Sequence, residues 1–227
     1  MSDVSFEQKP FGDVGFADNP EPRCALLLVL DNSGSMQGQP IRELNTGLQI
    51  LRDQLFADSL AAKRVEVGIV TFGPVQVVSD FTTVQTFIAP EITIGTDTPM
   101  GTAIERGLEL LDQRKASYKS NGISYYRPWV FLITDGSPTD SVSKATQLIR
   151  EGEDRKHFMF FAVGVEGADF NTLKMISVRE PLKLKGLDFR TLFQWLSSSL
   201  SSVSKSKTDE VVTLPNPTGP SGWATTA

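Results

Sequence analysis

Five consecutive apolar residues, Leu26 to Leu30, run directly into a small polar cluster, and this junction constrains the fold more than any other stretch. An apolar run of this length between turn-forming residues predicts a strand that is buried on both faces, as in a parallel sheet covered by helices. The cluster that follows reads Asp31-Asn32-Ser33-Gly34-Ser35. Open α/β sheets bind ligands beyond the carboxyl ends of their strands, so the cluster lies where a ligand site is expected.

The polar cluster offers one carboxylate and two hydroxyls, from Asp31, Ser33 and Ser35. These are hard oxygen donors, which suit Mg²⁺, Mn²⁺ or Ca²⁺ and not soft metals. The loop alone is only suggestive, because aspartate also caps helices and turns and serine is an ordinary turn residue. Its partners elsewhere in the chain decide between these interpretations.

Strand and helix patterns alternate along the rest of the chain. Strands are predicted over residues 64–72, 129–134, 158–165 and 181–184, and helices over 41–56, 102–120, 142–149, 171–176 and 192–203. Val75 to Val78, after the Gly73-Pro74 turn, is expected to return antiparallel at the sheet edge. The prediction is therefore an α/β fold with a doubly wound, mostly parallel central sheet, one antiparallel edge strand, and helices on both faces.

Composition narrows the class of protein. The chain has 227 residues, of which 40% are hydrophobic, and a net charge of −5. No basic patch stands out, so nucleic acid is not an expected partner. No run approaches the roughly 20 apolar residues of a membrane-spanning helix, and residues 1–20 lack the apolar segment of a signal peptide. With Cys24 as the single cysteine, read as a small buried apolar residue, these features favour a reduced, cytoplasmic protein.

Two further polar loops supply partners for the first. Thr98-Pro99-Met100-Gly101 opens a predicted helix, and Thr134-Asp135-Gly136 ends the second fully apolar strand. If the two apolar strands are neighbours at the switch point of the sheet, the carboxylates of Asp31 and Asp135 converge on one crevice. Two carboxylates so close repel each other, and one raises its pKa unless a cation lies between them. Hydroxyl ligands add no charge, so such a cation stays electrophilic and can accept an external oxygen ligand.

The three motifs, in this order, resemble those of the von Willebrand factor type A (VWA) domain, which has a Rossmann-like fold. The resemblance covers roughly residues 22–204 and implies the metal-ion-dependent adhesion site of that family. It implies that Ser33 and Ser35 bind the metal directly, that Thr98 joins in the ligand-competent form, and that Asp31 and Asp135 act mostly through water. The implied cofactor is a divalent cation, Mg²⁺ in the first place, with Mn²⁺ or Ca²⁺ as alternatives.

The function implied by the resemblance is protein binding, in which a partner supplies a Glu or Asp carboxylate to the metal. Tyr126-Arg127-Pro128-Trp129 and Pro138-Thr139-Asp140 also resemble the bacterial TerY-like (YegL-type) members of the family. That group is associated with tellurite-resistance and stress gene clusters, which implies phosphatase-like or kinase-like partner proteins. No membrane partner is expected.

Several residues of the motifs have a second interpretation. The family often has Gly-Gly before the metal threonine, and here Thr96-Asp97 takes that place, so Asp97 either adds a third carboxylate or points to solvent. Thr102 competes with Thr98 and is interpreted as a helix-cap residue. Asp140 precedes a helical run and is expected to cap it.

An enzyme is the alternative class of function, namely a metal-assisted phosphatase or hydrolase that uses the same Asp/Ser/Thr cluster. A haloacid-dehalogenase-type phosphatase needs a second aspartate where Ser33 stands, and a two-metal hydrolase needs more ligands than these loops contain. A catalytic triad would have to recruit the single histidine, His157, which precedes a strand. A third possibility is a structural protein that keeps the metal only for stability.

The predicted organisation has three parts: an irregular lead-in over residues 1–21, the domain over 22–204, and a Ser/Pro/Gly-rich tail over 205–227. An edge strand is expected near Val14 to Phe16 in the lead-in. The tail has the composition of a loosely ordered segment. Whether its apolar residues, Trp223 above all, dock on the domain is left open by the sequence.

Overall fold

The structure is a computed structural model that describes residues 16, 18–208 and 210–226. Most of the predicted lead-in, with Val14 of the expected edge strand, lies outside the described residues, and Phe16, the last residue of that expected strand, is helical. Phe16 is described and is buried, with its ring 5.9 Å from that of Tyr118 between centroids.

The described residues form one seven-stranded sheet in the order β3-β2-β1-β4-β5-β6-β7. The strands are β1 (Cys24–Leu30), β2 (Val65–Phe72), β3 (Val75–Thr83), β4 (Trp129–Thr134), β5 (Met159–Gly164), β6 (Leu182–Leu184) and β7 (Ala224–Thr226). β3 pairs antiparallel with β2, β7 pairs antiparallel with β6, and the remaining pairs are parallel. The sheet is thus parallel in its centre and antiparallel at both edges.

Helices cover both faces of the sheet. They are α1 (Gln39–Ala57), α2 (Ser59–Arg64), α3 (Met100–Ser120), α4 (Ser143–Asp154), α5 (Phe170–Ile176) and α6 (Phe189–Lys205). Alternate residues of β1 face opposite layers: Leu28 packs in the layer of α1, α2 and α6, and Leu27 packs in the layer of α3, α4 and α5. Both layers are apolar, which explains why β1 reads as an unbroken apolar run. Within the described residues, no helix is both long and apolar enough to cross a membrane.

The predicted doubly wound, mostly parallel sheet is confirmed, and the structure adds a second antiparallel edge strand, β7. This strand comes from the tail, and its Thr225 pairs with Lys183 of β6. The ring of Trp223, just before the strand, is buried, and its centroid lies 5.8 Å from that of Trp195. The tail therefore docks on the domain, which answers the question that composition left open. Cys24 is buried as expected, and burial raises the pKa of its thiol to about 12.

The strand order places a switch point between β1 and β4. Leu30 lies beside Ile133 in the parallel register, and the backbone N–H of Asp31 donates to the carbonyl of Ile133 at 2.9 Å. Asp31, which follows β1, and Asp135, which follows the last residue of β4, Thr134, consequently leave the sheet side by side. This is the position where α/β sheets bind ligands.

Candidate metal centre

The two strand ends are joined by hydrogen bonds between their side chains. The Thr134 hydroxyl donates to Oδ2 of Asp31 at 2.5 Å, and the Ser35 hydroxyl donates to Oδ1 of Asp135 at 2.7 Å. The oxygens Ser33 Oγ and Ser35 Oγ lie 3.0 Å apart, and the Ser33 N–H donates to Oδ1 of Asp31 at 2.8 Å. Four of the five predicted site residues are thus in one hydrogen-bonded group.

Gly136 shows that the fifth predicted residue, Thr98, faces the same space. A Cβ placed on Gly136 would lie 3.8 Å from Asp31 Oδ2, 3.8 Å from Thr98 Oγ1 and 3.9 Å from Ser35 Oγ. Oxygens from two separate loops, the one after β1 and the one before α3, therefore lie close to the point that a Cβ at residue 136 would occupy. We call this group of oxygens, with those of Ser33 and Asp135, the oxygen cradle.

The pKa of the Asp135 carboxyl in the cradle is shifted upward, which is the direction expected from the sequence for two neighbouring carboxylates. Asp31 is fully buried and Asp135 is 8% exposed. Burial and, to a smaller extent, the charge of Asp31 raise the pKa of the Asp135 carboxyl, while the hydrogen bond from Ser35 acts in the opposite direction. A cation in the cradle would offset both unfavourable contributions.

The donor set fits a hard divalent cation. Asp31, Ser33, Ser35, Thr98 and Asp135 contribute carboxylate and hydroxyl oxygens only, which matches the preference of Mg²⁺, Mn²⁺ and Ca²⁺. Over the described part of the chain, no group of three or more His, Cys, Asp or Glu side chains is placed to hold a metal, so the cradle depends on its hydroxyls. Ser35 is exposed, and the cradle is open to solvent on that side.

Asn32 fixes the cradle to the segment that leads to Thr98. Its carbonyl accepts from the N–H of Gly95 at 2.7 Å, and its Nδ2 donates to the carbonyl of Thr93 at 2.8 Å. Neither Asn32 nor Thr134 was assigned a role from the sequence. Both lie next to predicted site residues within the motifs, and this position in the sequence is the one signal from which their roles could have been predicted.

The structure separates Thr98 from its competitor and places Asp97 in solvent. Thr98 is 8% exposed and faces the cradle, whereas Thr102 is exposed within the first turn of α3. Asp97 is exposed, which agrees with the second of its two interpretations. The expectation for Asp140 is wrong: its carboxylate accepts from Gly101 N–H and Thr102 N–H, so it caps α3 and not the helix that follows it.

More than half of this chain matches the model of a known protein family. The family model described as von Willebrand factor type A domain matches residues 25–185. Inter-alpha-trypsin inhibitor heavy chain H1 of Homo sapiens is 26% identical over 166 residues, and the match covers 67% of this chain and 17% of that protein. This chain therefore corresponds to under a fifth of that relative.

Solved structures share the fold at low sequence identity. The pilus adhesin SpaC from Lactobacillus rhamnosus GG, in its open conformation, superposes with a TM-score of 0.64 at 13% identity, covering 80% of this chain and 30% of that one. The vWF domain of the type V pili tip protein Mfa5 from Porphyromonas gingivalis gives 0.57 at 11% identity, covering 85% and 99%.

Proposed function

The chain belongs to the von Willebrand factor type A domain family, and from that premise we propose that it is a metal-dependent protein-binding module. The family is often metal-dependent and mediates protein interactions. Asp31, Ser33, Ser35, Thr98 and Asp135 are the proposed metal-holding residues, and Mg²⁺ is the proposed cation, with Mn²⁺ or Ca²⁺ as alternatives.

The observation that carries this proposal is the oxygen cradle beside Gly136, which is rich in hydroxyls and open at Ser35. Two carboxylates and three hydroxyls leave a bound divalent cation able to attract a further anionic ligand. A Glu or Asp side chain of a partner protein supplies that ligand, and the partly dry crevice strengthens the attraction.

The surroundings of the cradle favour binding over hydrolysis. Ser33 occupies the position where a phosphatase of the aspartyl-phosphate type needs its second carboxylate, and its Oγ is engaged with Ser35. His157 lies before the amino end of β5, whereas the cradle lies beyond the carboxyl ends of β1 and β4. A metal-assisted phosphatase or hydrolase that uses the cradle stays the second candidate, and phosphatase activity abolished by Asp31→Ala would establish it.

The biological setting is a finer part of the same proposal. Resemblance of the motifs to TerY-like proteins supports a bacterial, cytoplasmic stress or tellurite-resistance system with phosphatase-like or kinase-like partners. The proposed domain spans residues 22–204, with the lead-in and the tail as extensions, and the proposal includes neither nucleic acid nor a membrane as partner.

Affinity capture with a matched set of variants tests the proposal. Immobilised wild type is compared with Ser33→Ala/Ser35→Ala in Mg²⁺ and in chelator, and Ser137→Ala serves as the control, because Ser137 is an exposed serine of the neighbouring loop. We expect a partner that the wild type and the control retain only with Mg²⁺, and that the double variant does not retain. Substitution of one acidic residue of that partner should abolish capture. Capture that survives chelator would refute metal-mediated recognition.

A further inference from the structure

The helix that follows Thr98 has no cap of its own. α3 begins at Met100, and the residue before it, Pro99, makes no side-chain hydrogen bond to the first turn. The first N–H groups of a helix lack partners within the helix and need acceptors from elsewhere. The carboxylate of Asp140 supplies them, because it accepts from Gly101 N–H at 2.9 Å, from Thr102 N–H at 2.8 Å and from the Thr102 hydroxyl at 2.7 Å.

The loop that carries Asp140 also holds Thr98 directly. The N–H of Thr139 donates to the carbonyl of Thr98 at 2.9 Å. A Cβ on Gly101 would lie 2.2 Å from the carbonyl oxygen of Ser141, so the start of α3 and this loop are in close backbone contact that only glycine permits. The position of Thr98 is therefore set by the loop that follows β4.

The same loop reaches the other half of the cradle. At its beginning, Thr134 bonds to Asp31 and Asp135 bonds to Ser35, while at its end Asp140 bonds to the first turn of α3. Residues 134–140 thus connect both groups of oxygens that face Gly136. Asp140 bonds only to the side of this space that carries Thr98, so a change at residue 140 acts on that side and leaves the bonds of Thr134 and Asp135 in place.

We propose that Asp140 is a positioning residue for metal binding, which acts by capping α3 so that the Thr98 hydroxyl faces Asp31 and Ser35. Without the cap, three donors at the start of α3 lose their acceptor, and the segment that ends in Thr98 loses one of its anchors, while the bonds from Thr139 and Asn32 remain. Beyond the long-range effect of its charge, the contribution of Asp140 to metal affinity passes through Thr98 and requires no contact with the cation. This inference rests on the proposed metal centre.

The chain offers a matched control in Asp169. Its carboxylate caps α5 in the same way, accepting from Asn171 N–H at 3.1 Å, from Thr172 N–H at 3.2 Å and from the Thr172 hydroxyl at 2.6 Å. Asp169 also follows the carboxyl end of a strand, as Asp140 does, so Asp169→Ala removes an equivalent charge and an equivalent cap. It leaves the segment that carries Thr98 untouched.

The test is a double-mutant cycle on Mg²⁺ affinity, measured by calorimetry on the full chain. Asp140→Ala, which removes the cap, should weaken Mg²⁺ binding about tenfold, a typical coupling between neighbouring groups. In a Thr98→Ala background it should cause no loss beyond that of the charge control, and Asp169→Ala should leave the affinity within about twofold of wild type. Thr102→Val, which removes one hydrogen bond to Asp140, is the milder variant in case Asp140→Ala does not fold. It should show a smaller loss that Thr98→Ala likewise suppresses.

The contrary outcomes separate this inference from the proposed function. If the losses from Asp140→Ala and Thr98→Ala multiply in the double variant, or if Asp169→Ala causes an equal loss, the role of Asp140 is overturned and the metal centre still stands. Failure of the wild type to bind Mg²⁺, or binding that Asp31→Asn does not change, would refute the metal centre itself.

Discussion

The hydroxyl of Thr134 donates a 2.5 Å hydrogen bond to Oδ2 of Asp31, and both side chains are fully buried. The last residue of β4 therefore orients the first carboxylate of the cradle from the neighbouring strand. Oδ1 of the same carboxylate accepts from the N–H of Ser33, so both of its oxygens have donors from the protein. The direction in which Asp31 faces the cradle is thus fixed by the fold.

The first prediction follows from that hydrogen bond. Thr134→Val keeps the shape of the side chain and removes the donor to a buried carboxylate, which should lower the free energy of unfolding by about 1–3 kcal/mol. Thr134→Ser keeps the hydroxyl and is the control. Denaturant unfolding measures both variants, and equal losses would show that packing, and not the hydrogen bond, is responsible.

The second prediction concerns acid stability at the start of α2. Asp58 caps this helix, and a hydrogen-bonded ion pair with Lys205, at 2.6 Å, lowers the pKa of its carboxyl, with help from the N–H groups of Ala61 and Leu60. A lowered folded-state pKa adds stability above the unfolded value of about 3.9 and loses it as the pH falls through the folded value. Asp58→Ala should cost roughly 1 kcal/mol at pH 7, and the difference from wild type should shrink below about pH 4. A difference that does not change with pH would contradict this assignment.

The third prediction tests whether the docked tail belongs to the core. Trp223 is 1% exposed against Trp195, so Trp223→Ala should lower the free energy of unfolding by about 3–5 kcal/mol. Thr225→Ala, at an exposed position of β7, which directly follows Trp223, should change it little. Similar values for the two variants in urea unfolding would show that the Trp223 side chain contributes no packing energy.

The features that could be predicted from the sequence are those that depend on residues close together in the chain. The buried strands could be predicted because Leu26 to Leu30 and Trp129 to Thr134 are each apolar without interruption up to their polar ends. The convergence of Asp31 and Asp135 was expected if their strands are neighbours, and Thr98 was placed with them by the family resemblance. In the structure Asp31, Thr98 and Ser35 lie near Gly136, and Asp135 is bonded to Ser35. Their role as metal ligands stays a prediction.

The features that the sequence did not yield depend on contacts distant in the chain. Asp140 was assigned to the adjacent helix because capping is normally local, whereas in the fold α3 lies closer to its carboxylate. The bond from Thr134 to Asp31 requires the register of β1 and β4. β7 is three residues in a Pro- and Gly-rich segment, and its pairing with β6 has no local signature.

A fourth prediction concerns ionic strength. The loops that follow the strands or lead to Thr98 contain acidic residues and no basic ones. These loops are residues 31–38, 84–99, 135–142 and 165–169, and their charged residues are Asp31, Glu91, Asp97, Asp135, Asp140, Glu166 and Asp169. These charges concentrate cations near the cradle, and salt screens them over about 10 Å at 0.1 M. Mg²⁺ affinity should therefore fall between 50 mM and 500 mM KCl by about tenfold or more. An affinity independent of KCl would show that these seven acidic residues do not attract the metal through long-range charge.

The most direct test of the metal centre is thermal unfolding with and without Mg²⁺ for the wild type, Ser33→Ala/Ser35→Ala and the control Ser137→Ala. Mg²⁺ at about 100 times its dissociation constant should stabilise the wild type and the control by roughly 2.7 kcal/mol. The double variant should fold and lose most of this stabilisation, because it lacks two of the hydroxyls of the cradle. Stabilisation by Mg²⁺ that is undiminished in the double variant would contradict the assignment of the metal centre.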